Sequence, residues 1–151
     1  MMRIFERLEE LESLIGQEIG VSDWIAVEQP RIQAFADATE DQQWIHTDPA
    51  RAAAGPFGAT IAHGFLTLSL LPRFYQTAFR VEEVRMGLNY GLDRVRFPAP
   101  VPVGSKLRGR FVLRKLEAID GGVQMMVEVT VEREGGSKPV CVAESLTRQM
   151  R

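Results

Sequence analysis

The sequence predicts an α+β fold: an antiparallel sheet curled around one apolar helix. Three observations point there. The first half carries helix-start signals, with Pro30 and Pro49 at initiating positions. Residues 64–79, GFLTLSLLPRFYQTAF, are apolar around nearly the whole helical circumference, which marks a buried helix. After Val81 the chain reads as strands joined by tight turns. Helices followed by consecutive hairpins give the α+β order, not the alternation of a parallel βαβ sheet.

Taken in order, residues 3–15 read as an amphipathic helix, with Phe5, Leu8, Leu11 and Ile15 on one stripe and Gly16 placed to end it. An extended piece follows around Val21–Val27. Pro30 opens a helix over Arg31–Ala38 with Ile32, Phe35 and Ala36 inward, and Asp48-Pro49 starts a short turn over Ala50–Ala54. Gly55-Pro56 and Gly58 make the next stretch a loop. The central helix, about 24 Å at ~1.5 Å per residue, should bend at Pro72, which has no N–H for the preceding turn. Val123–Glu132 is the clearest strand, with Val123, Met125, Val127, Val129 and Val131 alternating with polar residues. Asp120-Gly121-Gly122 joins it to Leu107–Leu116, and Gly135-Gly136 leads to a last strand, Val140–Thr147. A sheet with one dry face and one buried helix is the hotdog arrangement.

At 151 residues this is read as one domain, residues 1–151, able to bury a core without metals or disulfides. A net charge of −2 gives no reason to expect nucleic acid or an anionic membrane as partner. Cys141 is alone, so no intramolecular disulfide forms, which fits a reducing, cytoplasmic setting. The N-terminus carries acidic residues and no continuous apolar run, unlike a targeting segment, and no stretch of 18 apolar residues exists.

Chemistry concentrates in residues 35–67, which hold Asp41 and the only two histidines, His46 and His63. Asp41 lies five residues before His46, and a non-helical connection of that length can turn both side chains to a common point. On spacing alone, the commoner reading is a turn-capping Asp and a surface His. Asp48 reads as a cap for the Pro49 turn. Gly64 opens the most hydrophobic helix, where the first N–H groups lack intrahelical partners, the helix dipole is positive, and no Cβ keeps a ligand carbonyl away. No metal-ligand spacing, phosphate loop or GxSxG site is found.

The run from Phe35 to Pro49 fills every defined position of Phe-Ala-x-x-[Thr/Ser]-[Gly/Glu]-Asp-x-x-x-x-His-x-Asp-Pro. This resembles the signature of the MaoC-like dehydratase family, whose best-known members are (R)-specific enoyl-CoA hydratases. The QWIH run and MGLNYGLDRVRFPAPVPVG resemble the nodulation-protein-N-like subgroup. The resemblance implies a hotdog fold and reversible syn addition of water to a trans-2-enoyl thioester. Asp41 and His46 would be the catalytic pair and the Gly64 amide would polarise the thioester oxygen. No cofactor is implied beyond the coenzyme A or carrier protein of the substrate. His63 is either a second acid–base group or, as favoured here, a packed histidine whose ring bonds a loop carbonyl.

Phe57 and Ile61 are expected to pack the loop or line the acyl tunnel, in an apolar slot beside the central helix. Asn89 could reach the site or mark a bulge. Arg94 and Arg96 could meet nucleotide phosphates, though a solvated strand face is commoner. Some short (R)-hydratases carry a serine where Pro72 stands, so an orienting hydroxyl is missing here. A homodimer is expected, because a short sheet leaves open strand edges. Two alternatives stand beside the hydratase: a hotdog thioesterase, and a non-catalytic acyl-thioester-binding module.

Overall fold

The computed structural model describes all residues from Met1 to Arg151. Its eight strands are β1 (Arg3–Phe5), β2 (Glu18–Val21), β3 (Ile25–Val27), β4 (Phe79–Val81), β5 (Met86–Arg96), β6 (Ser105–Ile119), β7 (Gly122–Arg133) and β8 (Cys141–Met150). Its five α-helices are α1 (Gln29–Thr39), α2 (Trp44–Thr47), α3 (Pro49–Ala53), α4 (Gly64–Ser69) and α5 (Leu71–Ala78). The main sheet is antiparallel in the order β2-β6-β7-β8-β5, with β3 also paired to β6, and β1 and β4 form a small parallel pair. Inward residues of β6 (Leu107, Phe111, Leu113) and β7 (Val127, Val129, Val131) are fully buried. Helix α5 packs on β2 and β6, and α4 packs on β8. The sheet therefore wraps the helical segment, as alternation and helix hydrophobicity predict.

Three expectations need correction. The N-terminal helix over 3–15 does not form. Arg3–Phe5 is a strand paired with Phe79–Val81, and Leu8–Leu14 is a 3-10 helix. Buried Leu8 and Leu11 lie three apart, which suits the 3-10 repeat, whereas Ile15 turns outward. Gly16 ends this segment at φ +89°, a conformation that favours glycine.

The helix over 64–79 is two helices meeting at Leu70. Pro72 lies in the first turn of α5, where its missing N–H costs nothing, so it starts a helix instead of bending one. Phe79 already belongs to a strand, and Phe65 is 70% exposed, so this helix is not buried all round. Finally, His46 sits on the short helix α2 and not in a non-helical connection.

Strand β5 is the open edge of the main sheet. It bulges between Asn89 and Gly91, and nearly all of its residues are exposed.

Candidate active site

Helix α1 ends on Glu40 at φ 63°, a left-handed cap that turns the chain so that Asp41 leaves the helix axis. The turn is tied down on both sides. Gln42 Nε2 donates to Asp37 Oδ1 at 2.8 Å, and Thr47 Oγ1 donates to the Gln42 carbonyl at 3.0 Å. The Asp41 carboxylate remains about half exposed.

His46 is buried beneath it. Its Nδ1 lies 2.6 Å from the Ile61 carbonyl oxygen, so Nδ1–H donates and Nε2 keeps a lone pair. The backbone is clamped as well. Gln29 Nε2 donates to the His46 carbonyl at 2.8 Å, Thr60 Oγ1 donates to Gln29 Oε1 at 2.5 Å, and Ile61 N–H donates to Ile45 at 3.0 Å. Burial lowers the His46 pKa below its ordinary 6.5, and nearby His63 adds to this. The Ile61 carbonyl and Asp41 oppose it.

His63 stacks on His46, with ring centroids 3.8 Å apart and planes 22° from parallel. Phe35 also packs against it, with centroids 4.9 Å apart and planes tilted by 56°. Its Nε2 lies 3.0 Å from the Asp41 backbone carbonyl, which makes Nε2–H the donor and ties the Asp41 turn to the start of α4. The carboxylate Oδ2 is farther, at 4.0 Å, and buried Nδ1 has no partner.

One ligating atom from each of Asp41, His46 and His63 falls within a 4.8 Å cluster. Lone pairs of an imidazole lie in the ring plane, so two stacked rings aim theirs side by side instead of converging. Each ring also gives one nitrogen to a carbonyl. The trio fits a hydrogen-bonding site better than a metal centre.

Gly64 is the first residue of α4, and its N–H meets no acceptor in the protein. The Phe97 ring lies across it, 3.2 Å from where a Cβ would stand. Phe97 borders two hollows. One is formed by Phe35, Asp41, His46, His63 and Gly64. The other, of about 360 Å³, is formed with His46, Phe57, Ile61, Gly64 and Val101.

Asp41, His46, His63 and Gly64 are thus together, with Phe57 and Ile61 along one flank. Ile61 contributes chiefly its carbonyl, which side-chain reasoning does not foresee. Asp48 caps α3 by accepting from Arg51 N–H at 3.0 Å. Asn89 lies elsewhere, in a groove beside α4 and α5. Arg94 and Arg96 are exposed on β5 and line neither hollow, and Arg96 donates to the Val95 carbonyl. Sequence reasoning missed Gln29, Thr60 and Phe97. Only Phe97 left a signal, being the aromatic that precedes the Pro98-Ala99-Pro100 run.

Comparison with known proteins shows the family. A family described as MaoC like domain matches residues 10–135. The chain is 54% identical over 148 residues to 3-hydroxyacyl-thioester dehydratase Z of Mycobacterium tuberculosis, covering 97% of this chain and 98% of that one. It is 52% identical to nodulation protein N of Rhizobium leguminosarum bv. viciae, covering 93% and 89%. A solved MaoC-like dehydratase from Rhodospirillum rubrum shares the fold at a TM-score of 0.76 and 20% identity, covering 95% and 96%. The (R)-hydratase from A. caviae involved in PHA biosynthesis shares it at 0.72 and 22% identity, covering 89% and 96%. The fold is therefore the hotdog fold of these structures, and the chain belongs to the MaoC-like dehydratase family.

Proposed function

We propose that this protein is a hydro-lyase, an (R)-specific 2-enoyl thioester hydratase that also runs in reverse as a 3-hydroxyacyl thioester dehydratase. The observation that carries the reading is the fixed tautomer of His46. Its Nδ1–H is held by Ile61, so a neutral Nε2 is free to accept a proton beside the Asp41 carboxylate. In hydration, Asp41 and His46 hold one water and take up a proton from it as its oxygen bonds to Cβ. The pair then returns a proton to Cα on the same face, so the elements of water add syn. Positioned acid–base groups of this kind contribute about 10²–10⁴-fold.

Charge builds on the thioester oxygen during this step. The unpaired Gly64 N–H at the start of α4 is the group placed to receive it, a role worth about 10²–10³-fold per donor. For a thioester to reach that N–H, the Phe97 ring must move aside. The reading uses no metal and no cofactor besides the coenzyme A or carrier protein attached to the substrate. The 54% identity to a named 3-hydroxyacyl-thioester dehydratase supports it.

The test is loss of enoyl-thioester absorbance on mixing with crotonyl-CoA. A thioesterase would instead release free coenzyme A thiol from saturated acyl-CoA. A binding module would consume neither. Either of those results sinks the hydratase reading.

The proposed functional unit is a homodimer that pairs through the open edge of β5, where Leu88, Tyr90 and Leu92 are 45%, 57% and 43% exposed. Light scattering should give a dimer mass or a multiple of it, and a fully active monomer at micromolar concentration refutes it. No helix is long and apolar enough to cross a membrane. Buried, unpaired Cys141 is consistent with the cytoplasm, where we place the protein.

A further inference from the structure

A second space runs beside the central helices, away from Asp41 and His46. Its larger part, about 510 Å³, is lined by Pro72, Tyr75, Phe79, Asn89, Met125 and Thr147 among others. A smaller part, about 400 Å³, shares Pro72 and Asn89 with it and shares Phe65 with the hollow over Asp41 and His63. These spaces follow one another along α4 and α5. Tyr75 lies eleven residues (75 − 64) beyond Gly64, about 16 Å along a helical path.

The wall of this space is polar where the rest of the sheet is not. The inward faces of β6 and β7 are apolar throughout. On β8 the inward row begins with Cys141 and Ala143, then changes to Ser145 and Thr147, both about 95% buried, with Gln149 next in the alternation. Gln149 Nε2 donates to Thr147 Oγ1 at 2.8 Å.

The Tyr75 hydroxyl is buried beside Ser145, with which it makes only a weak, poorly formed hydrogen bond, and it has no other partner. A buried hydroxyl so poorly paired is costly. The Tyr75 ring packs against Phe79 and Phe111, with centroids 5.4 and 4.5 Å away, a role that phenylalanine would fill without the hydroxyl. Packing therefore does not explain the oxygen. Arg80, at the rim, is paired with Glu82 at 2.6 Å, so no free cation waits there for a carboxylate.

We infer that this groove receives the acyl chain, and that the chain carries a neutral hydrogen-bonding oxygen, hydroxyl or keto, well beyond the reacting double bond. Tyr75 turns its hydroxyl from Ser145 to donate to that oxygen, and the Ser145–Thr147 stripe supplies the oxygen's other partner. The slot is then not the plain apolar channel that the sequence suggests. The inference rests on the hydratase reading and refines its substrate class to oxygenated acyl thioesters.

The experiment compares trans-2-enoyl-CoA substrates of six, eight and ten carbons with their ω-hydroxy counterparts, with crotonyl-CoA as reference. At one length the hydroxylated substrate should be preferred by about 3–10-fold in kcat/KM, the effect of one neutral hydrogen bond. Tyr75→Phe, and independently Ser145→Ala, should bring that ratio toward one. The melting temperature of Tyr75→Phe should hold or rise, since the variant removes a poorly paired buried group. If crotonyl-CoA is hydrated but no length shows a preference, or the ratio survives Tyr75→Phe, the substrate inference is overturned and the hydratase reading stands. If no enoyl thioester is hydrated, both fall.

Discussion

Replacing Gly64 with alanine tests whether catalysis depends on a backbone N–H. The substitution is mild for the fold. Gly64 is not among the glycines with positive φ, so alanine meets no backbone strain. The three atoms nearest to its new Cβ all belong to the Phe97 ring, at 3.2–3.3 Å. That ring is 39% exposed and can yield by a few tenths of an ångström. At the first residue of a helix alanine gains less than the about 1 kcal/mol over glycine of a helix interior, which offsets part of the crowding. Folding stability should change by no more than about 1 kcal/mol, roughly 2–4 °C in Tm for a chain of this size.

Activity should respond differently. The methyl group and the displaced ring occupy the approach to the N–H, and loss of one oxyanion donor costs about 10²–10³-fold, or about 2.7–4 kcal/mol. The assay is the initial rate of crotonyl-CoA hydration with Tm measured on the same samples, and Gly64→Val should be worse than Gly64→Ala. A Gly64→Ala enzyme within threefold of the parent in kcat/KM, at unchanged Tm, would refute the backbone-donor argument.

Asp41→Asn and His46→Gln should each lower kcat by orders of magnitude. The double variant should be little worse than either, because groups that share one water act as a unit; additive losses would show independent roles. His63→Ala should weaken folding by roughly 2–4 kcal/mol, as a buried ring is lost, while lowering kcat less than Asp41→Asn does. The opposite pattern would make His63 a proton-transfer group. The pH dependence follows from His46. Its folded pKa is depressed by burial, so below about 6.5 the unfolded chain binds more protons than the native one. The His46 contribution is therefore complete above that pH and is lost as pH falls toward the folded pKa. Denaturant titrations across pH 5–8 should show an acid-side loss that His46→Gln flattens, and an unchanged slope would rule out His46 as its source.

How far the fold can be read from the sequence depends on whether contacts are local. Strands β6, β7 and β8 are legible because alternation and Gly turns act between neighbouring residues. Strand β1 is not, because its partner β4 lies 76 residues away (79 − 3) and nothing near Arg3–Phe5 announces it. The apolar spacing of Leu8 and Leu11 fits an α-helix and a 3-10 helix alike, and only tertiary packing decides between them. Pro72 was ambiguous for a similar reason. Within a continuous helix it is a kink, and in the first turn of a new one it is an initiator, depending on a break at Leu70 that no residue type marks.

The site divides in the same way, but along the line between side chains and backbone. Asp41, His46 and Gly64 were legible as residue types at a motif's spacing. The groups that decide how they work are carbonyl oxygens, which every residue carries and no sequence pattern distinguishes. The Ile61 carbonyl accepts a hydrogen bond from Nδ1–H of His46, and the Asp41 carbonyl accepts one from Nε2–H of His63. The two stacked imidazoles thereby turn opposite nitrogens to carbonyls. The spare lone pair of His63 is at Nδ1, which is buried without a partner, whereas that of His46 is at Nε2, on a ring that borders both hollows. A motif with two histidines a stacking distance apart cannot say which is the base. The carbonyls distinguish the two rings, and the proposal that His46 is the base rests on that difference.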